Sequence, residues 1–396
     1  MKTLCIAIVD SRSSVRNQNE GGPQNSGPIS KQTRNLWLDV IRFCAFCRVF
    51  LLHAVGGVAA IHGTAFLEEL TNQLRHGVTC FFVLSGFLMG RKLAKTNFNT
   101  SRFIGDRFLR LVPSYWFFLL FMSVAYFSFA GKDKGVMLWG AVWDMLFLSD
   151  YLHGAHAHTW AVAVEMKYYL LVAGLGAVLN RYPKWRTHIL WTSLVSFYGI
   201  GLISRLSSTV SPEISSTVTM FHERLDDFAI GMVAAEISAF PLIRSAKTSR
   251  MMLGISMVLM LVVVYFPLNW ARQSILAFAF ALLILTTSVT RIQSPAFLTY
   301  LSGLTYNAYL WHFAVGAICL VIFVHAPGQA TPVRILIGLA VGFVMSLATA
   351  RLMQKWIENP FRAFLVRIYT WCVSAPGAEY RSVELTGGLK QALDKN

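Results

Sequence analysis

Long apolar runs separated by short polar connections fill most of the chain. Ten of them run approximately over residues 36–62, 76–93, 112–130, 159–180, 187–206, 223–240, 251–267, 273–290, 298–324 and 333–357. Many reach the ~20 residues that a helix needs to cross the hydrocarbon of a bilayer. A soluble core has no use for so much apolar length. The pattern predicts an all-α fold: a polytopic transmembrane helical bundle of about ten spans, hence a multi-pass integral membrane protein whose first partner is the lipid bilayer. Gly86 and Gly90 form a small-xxx-small pair in the second run, which reads as helix packing rather than chemistry. The stretch between runs three and four carries Trp139, Trp143 and Asp144. It is expected to lie in the interface with its indoles at headgroup depth.

Composition agrees with this reading. Of 396 residues, 55% are hydrophobic and 14% charged, against about 25% charged in soluble domains. The net charge of +16 invites a nucleic-acid reading. The basic residues sit in short connections, however, and present no folded basic face, so nucleic acid is excluded as a partner. One set of connections holds Arg91, Lys92, Lys95, Arg102, Arg107 and Arg110, then Arg181, Lys184 and Arg186, then Arg244, Lys247 and Arg250. The alternate set is far less basic. Lys and Arg accumulate on the cytoplasmic side, so the alternation predicts an even number of spans with both termini cytoplasmic. Residues 1–34 are polar and rich in Ser, Asn, Gly and Pro, as expected of a disordered cytoplasmic tail. Leu4 to Val9 is too short for a signal-peptide core. Residues 35–366 form the membrane domain, and 367–396 a cytoplasmic C-terminal tail.

The informative residues are the polar ones inside the apolar runs, because an ionisable group there is costly and faces a cavity or a partner. The first run holds Asp39, Arg42 and His53. Arg42 and His53 are eleven residues apart, close to three helical turns, so they share a face about 16 Å apart along the axis. Asp39 lies one turn before Arg42 and can pair with it. Glu165 lies two turns inside the fourth run, with His158 seven residues earlier. The ninth run holds Tyr306, Tyr309 and His312. His53, Glu165 and His312 all fall in the outer half of the bilayer. A histidine near a carboxylate is the minimal apparatus of general base catalysis. A histidine that merely joins two helices is the competing account of His53.

Other signals are weaker. Cys44 and Cys47 form a lone C-x-x-C without a second pair or a βαβ context, so they read as packing residues. His153, His156 and His158, with Asp150 nearby, match no metal-ligand spacing; they read as exposed loop histidines, and no metal is expected. Ser85 in Leu-Ser-Gly lacks a nucleophile-elbow context. No phosphate-binding or dinucleotide fingerprint is present.

Taken together, these residues resemble the membrane-bound acyltransferase family 3. Arg42, ten residues and His53 are similar to its opening motif. Gly77 through Met89 resembles the second motif, and Phe103 to Pro113, with Arg107 and Arg110, resembles its basic loop leading to a proline. Trp160 to Glu165 resembles Trp-Ser-Leu-Ser-Val-Glu, with Ala161 and Ala163 in place of the serines and Lys167 where glutamine is common. Arg224-Leu-Asp-Asp-Phe, Tyr309-Leu-Trp-His312 and Glu358-Asn-Pro-Phe-Arg match late patterns. The likeness covers about residues 35 to 365.

The resemblance implies O-acylation, commonly acetylation, of a carbohydrate or lipid-linked envelope molecule, with cytoplasmic acyl-coenzyme A (acetyl-coenzyme A) as co-substrate and a bacterial cytoplasmic membrane as the location. On that reading Arg107, Arg110 and Arg42 hold the donor's phosphates, since arginine suits phosphate through bidentate hydrogen bonds. His53 is the base, supported by Glu165 and Arg42. His312, Tyr309 and Trp160 bind the acceptor. The oligomeric state is left open. A proton-coupled secondary transporter could use the same buried groups as a relay, although no paired, interrupted spans of the transporter kind appear. An inactive scaffold is a third reading.

Overall fold

The computed structural model describes residues 35–62, 65–74, 77–95, 98–129, 134–210, 220–266, 271–289, 292–324 and 332–373. The N-terminal tail and most of the C-terminal tail anticipated above lie outside the described residues. Among the described residues the regular structure is helical, apart from one antiparallel bridge between Asn35 and Gln293. The helices are α1 (Leu36–His62), α2 (Ala65–Leu74), α3 (Gly77–Leu93), α4 (Thr100–Phe129), α5 (Lys134–Met145), α6 (Trp160–Arg181), α7 (Arg186–Val210), α8 (Leu225–Ile237), α9 (Ala246–Tyr265), α10 (Ala271–Val289), α11 (Ala296–Val324), α12 (Pro332–Met353) and α13 (Asn359–Val373).

All ten apolar runs of the sequence carry a helix. Among the described residues, five helices are long and apolar enough to cross a membrane, by length and composition. Three of the others are short or carry charges. Helix α1 carries Asp39, Arg42 and Arg48, α3 has 17 residues, and α8 has only 13 and includes Asp226 and Asp227. The amphipathic α2 has no buried residue. Helix α13 continues through residue 373, past the point where the C-terminal tail is expected.

Two compact units divide the described residues. One, 35–354, holds the helices from α1 to α12; residues 355–373 belong to the other. Within the first unit, α3 packs on α8, α1 on α11, α11 on α12 and α9 on α10. The α3–α8 contact depends on glycine. A Cβ on Gly86 would fall 2.2 Å from the Phe228 carbonyl oxygen, and one on Gly231 only 2.1 Å from that of Val83. The two backbones therefore touch, as small residues permit in membrane helices, and the packing role read for Gly86 is the one it has. A large apolar core adjoins this contact, including Phe82, Tyr168, Phe228 and Met232. The rings of Tyr168 and Phe228 stack at 3.6 Å.

Helix α5 covers one edge. Gly140, Ala141 and Asp144 face inward and are buried, while Val136, Leu138 and Trp139 are exposed. The indoles of Trp139 and Trp143 stack at 5.6 Å. The helix is thus two-faced, one side buried and the other exposed.

Candidate functional site

Helices α1, α3, α4, α6 and α11 enclose a cavity of about 760 Å³, counted with the solvent at its mouth. Val78, Phe82, Leu88 and Val162 give the lining apolar surface, and polar groups are interleaved with them. Arg42, Arg107 and Arg110 line the cavity together with Ser85, Glu165, Tyr169, Tyr306 and Tyr309. Arg42 of α1 and the pair Arg107 and Arg110, one turn apart on α4, therefore share one space with a single carboxylate, Glu165.

Local contacts hold each of these side chains. Arg42 is 3.5 Å from Asp39, one turn earlier, as the spacing predicts, and it donates to Ser302 Oγ at 3.2 Å. Asp39 itself accepts from Ser302 Oγ at 2.8 Å, so the N-terminal turn of α1 is pinned to α11. Arg107 lies over the rings of Phe103 and Tyr169, at 5.6 and 5.3 Å. Glu165 accepts hydrogen bonds from Ser85 Oγ at 3.2 Å and from the Tyr169 hydroxyl. Tyr306 donates to the Leu111 carbonyl at 2.8 Å, joining α11 to α4 just before Pro113.

Beyond Tyr309 lies a cluster of imidazoles. His53 Nδ1 is 2.9 Å from His312 Nε2 and 3.1 Å from the Val49 carbonyl. His312 Nδ1 is 2.6 Å from the Tyr309 carbonyl. His158 Nε2 is 3.0 Å from the Leu310 carbonyl, and its ring stacks on Phe313 at 5.4 Å. Tyr309 connects cavity and cluster, because its hydroxyl donates to the His158 carbonyl at 2.6 Å.

The structure thus brings Arg42, Arg107, Arg110, Glu165 and Tyr309 to one cavity, and His53 and His312 to one hydrogen bond. Among the described residues no hydrogen bond joins His53 to Glu165; the group on His53 is His312. Helix α6 begins only at Trp160, so His158 precedes the helix instead of sharing a face with Glu165, and it turns toward α11. Trp160 stands outside the cavity lining. It packs edge-on against Phe82 at 6.0 Å and beneath the Arg224 guanidinium at 5.3 Å.

A polar layer surrounds the N-terminal end of α6. His156 and His158 are buried there rather than exposed. Among the described residues no group of His, Cys, Asp and Glu is arranged to hold a metal ion. Asp144 accepts from Thr159 Oγ1 at 2.6 Å and from the His156 backbone N–H at 3.2 Å. Burial outweighs these donors and pushes the Asp144 carboxyl up to about 6. Burial likewise lowers the His156 imidazole to about 4. Lys167, which departs from the resembling motif, donates to Asp150 and to the Phe147 carbonyl. Phe147 has a left-handed φ of 58°, a conformation costly for a bulky residue, and Lys167 anchors that turn.

Sequence reasoning did not single out Tyr169, which carries a hydrogen bond to Glu165 one turn away; the Glu-x-x-x-Tyr spacing was the available signal. It also gave no role to the Asp pair of Arg224-Leu-Asp-Asp. Arg224 lies 3.4 Å from Asp227, which also accepts from Gln273, while Arg205 pairs with Asp226. These buried ion pairs join α7, α8 and α10.

A family model described as an acyltransferase domain matches residues 35–351. The Staphylococcus aureus (strain COL) protein named "Putative O-acetyltransferase SACOL0978" is 25% identical over 340 residues, covering 74% of this chain and 54% of that relative. The Komagataeibacter xylinus protein named "Putative membrane-bound transacylase BcsY" is 23% identical over 257 residues, covering 60% of this chain and 65% of the relative. The chain therefore spans about half the length of the Staphylococcus relative it matches. No solved structure matches it.

Proposed function

This chain belongs to the acyltransferase family whose model spans residues 35–351, and from that premise we propose that it transfers an acyl group, most simply acetyl, from acyl-coenzyme A to a hydroxyl of a carbohydrate or lipid-linked envelope molecule. The observation that carries this reading is the cavity in which Arg42, Arg107 and Arg110 meet Glu165 and Tyr309. Three guanidiniums suit a donor with several phosphates, because each forms short, charge-assisted hydrogen bonds. The apolar side chains in the lining suit the acyl chain and the methylenes of the pantetheine arm. Both relatives described above are bacterial and carry transacylase or O-acetyltransferase names, which supports placing the reaction at a bacterial cytoplasmic membrane with the arginines toward the cytoplasm.

The chemistry needs a base for the acceptor hydroxyl. His53 takes that proton as the oxygen attacks the thioester carbonyl. The tetrahedral adduct then collapses, the carbon–sulfur bond breaks, and the departing thiolate takes the proton back from the imidazolium. Glu165, fixed by Ser85 and Tyr169, supports the imidazolium through its charge and not through a direct bond. Tyr309 joins the cavity to the histidines and is placed to meet the acceptor, whereas Trp160, packed against Phe82 and Arg224, would act on the acceptor only through its neighbours.

Purified protein in nanodiscs, given acetyl-coenzyme A and candidate hydroxyl acceptors, is expected to release free coenzyme A. A correctly inserted Arg107→Ala/Arg110→Ala variant should lose donor affinity by at least roughly tenfold, since one charged hydrogen bond is worth about 1.5–3 kcal/mol. Unchanged donor affinity would reduce these arginines to topology signals. If the wild type releases no coenzyme A with any acceptor while vesicles take up solute with protons, the chain is a transporter.

A further inference from the structure

The contacts around the two bonded histidines determine where their protons sit. A carbonyl oxygen only accepts hydrogen bonds, so a ring nitrogen facing one carries a proton. His312 Nδ1, 2.6 Å from the Tyr309 carbonyl, is therefore N–H. A neutral imidazole has one N–H, which leaves His312 Nε2 as an acceptor. The nitrogen facing it, His53 Nδ1 at 2.9 Å, must then donate. The Val49 carbonyl, 3.1 Å from the same His53 Nδ1, makes the same demand independently. His53 is thus protonated on Nδ1, and its Nε2 keeps the lone pair, with no hydrogen bond among the described residues.

The surroundings strengthen this arrangement. His312 is 1% exposed. Phe46 stands edge-on to the His312 ring at 6.4 Å, and Phe313 edge-on to the His53 ring at 5.4 Å. A hydrogen bond shielded from water is electrostatically stronger than one in solvent. Neither ring has a carboxylate as a hydrogen-bond partner among the described residues. A histidine base usually has its second nitrogen held by a carboxylate or a carbonyl, which fixes the tautomer and stabilises the charged ring.

We propose that His312 is a positioning residue: it holds His53 with its proton on Nδ1, directs the basic Nε2 toward the acceptor hydroxyl, and shares the positive charge when His53 takes the acceptor's proton. A second histidine does here what a carboxylate does in a triad. This reassigns His312 from acceptor binding to control of the base. The catalytic consequence rests on the acyl-transfer reading; the tautomer does not. During transfer the hydroxyl proton moves to His53 Nε2, and the Nδ1 proton stays between the two rings, closer to His53. When the thiolate leaves, it takes the proton from Nε2, and the pair returns to its starting state.

The tautomer is measured directly. Protein labelled with 15N-histidine in nanodiscs gives ring nitrogen signals, and His53 is assigned by difference against His53→Gln. The expected result for wild type is a protonated Nδ1 and a bare, pyridine-type Nε2. A protonated Nε2 in neutral His53 overturns the proposal whether or not any acyl transfer is found. The activity arm uses two variants. His312→Leu removes the acceptor and should lower kcat by about 10–100-fold with an unchanged KM for the donor, a part of the roughly 10²–10⁴-fold that a general base contributes. In His312→Gln the side-chain oxygen can still accept from His53 Nδ1, so that variant should recover part of the loss. A His312→Leu variant with wild-type kcat overturns the proposal, as does a His312→Gln variant that folds but recovers nothing. If the leucine variant does not fold, the wild-type spectrum and the glutamine variant decide.

Discussion

The hydroxyl of Tyr309 donates to the backbone carbonyl of His158 at 2.6 Å, across a sequence separation of 151 residues. One side chain therefore lines the cavity, and the same residue's own carbonyl holds His312 Nδ1. Tyr309 thus ties three things together: the cavity, the segment preceding α6, and the histidine pair. On the proposed mechanism, the link between cavity and base runs through this residue.

Tyr309→Phe removes the hydroxyl and leaves the ring and the backbone carbonyl in place. A net intramolecular hydrogen bond contributes about 0.5–1.5 kcal/mol, so thermal unfolding in detergent should show only a modest loss of stability. Turnover should fall further than stability, because the His158 segment is released beside the base while the three arginines are untouched. Donor affinity should stay at the wild-type value. Equal and small losses in stability and turnover would reduce Tyr309 to a packing residue.

Much of this arrangement is legible in the sequence, and the reason is energetic. Arg42, His53, Glu165, Tyr309 and His312 stand out because polar groups in apolar runs are expensive, and helical spacing is enough to put Asp39 beside Arg42. Partners between helices are not legible in that way. Periodicity places a residue on a face but says nothing of which helix that face meets. His53 meets His312 because α1 packs on α11, and Glu165 meets Ser85 because α6 lies against α3. The burial of His156 was hidden for a different reason. It sits in a short polar stretch that resembles a solvated loop, yet α5 and its Asp144 fold over that stretch.

The glycine contact between α3 and α8 predicts a sharp contrast. Gly231→Ala would drive a Cβ to 2.1 Å from the Val83 carbonyl oxygen, so the helices must separate. Overpacking of this kind costs roughly 1–3 kcal/mol. Gly254→Ala, on α9, meets nothing within 4 Å and should be neutral or slightly stabilising, since alanine is the better helix former. Melting temperatures of the two variants in one detergent test the contrast. Equal melting temperatures would mean that α3 and α8 are not in backbone contact.

The buried imidazole of His156 predicts a pH dependence with a definite sign. Burial lowers it from its ordinary 6.5 to about 4 in the folded protein. Below pH 6.5 the unfolded chain takes up a proton that the folded chain refuses, so the unfolded state binds more protons and stability drops as the pH is lowered. The loss develops between about pH 6.5 and pH 4 and then stops, because both states are protonated below that window. Its full size is roughly 3 kcal/mol, from 1.36 kcal/mol for each unit of displacement. Asp144 acts with the opposite sign: its carboxyl is raised from 3.8 to about 6, so the folded state binds the extra proton over nearly the same range. The two contributions oppose each other, and the wild-type profile conceals both. Replacing His156 with glutamine removes one of them. The stability of His156→Gln relative to wild type should therefore rise steadily as pH is lowered from 6.5 to 4, measured as the difference between their unfolding midpoints. A difference that stays constant across that window would mean that His156 is solvated and ordinary.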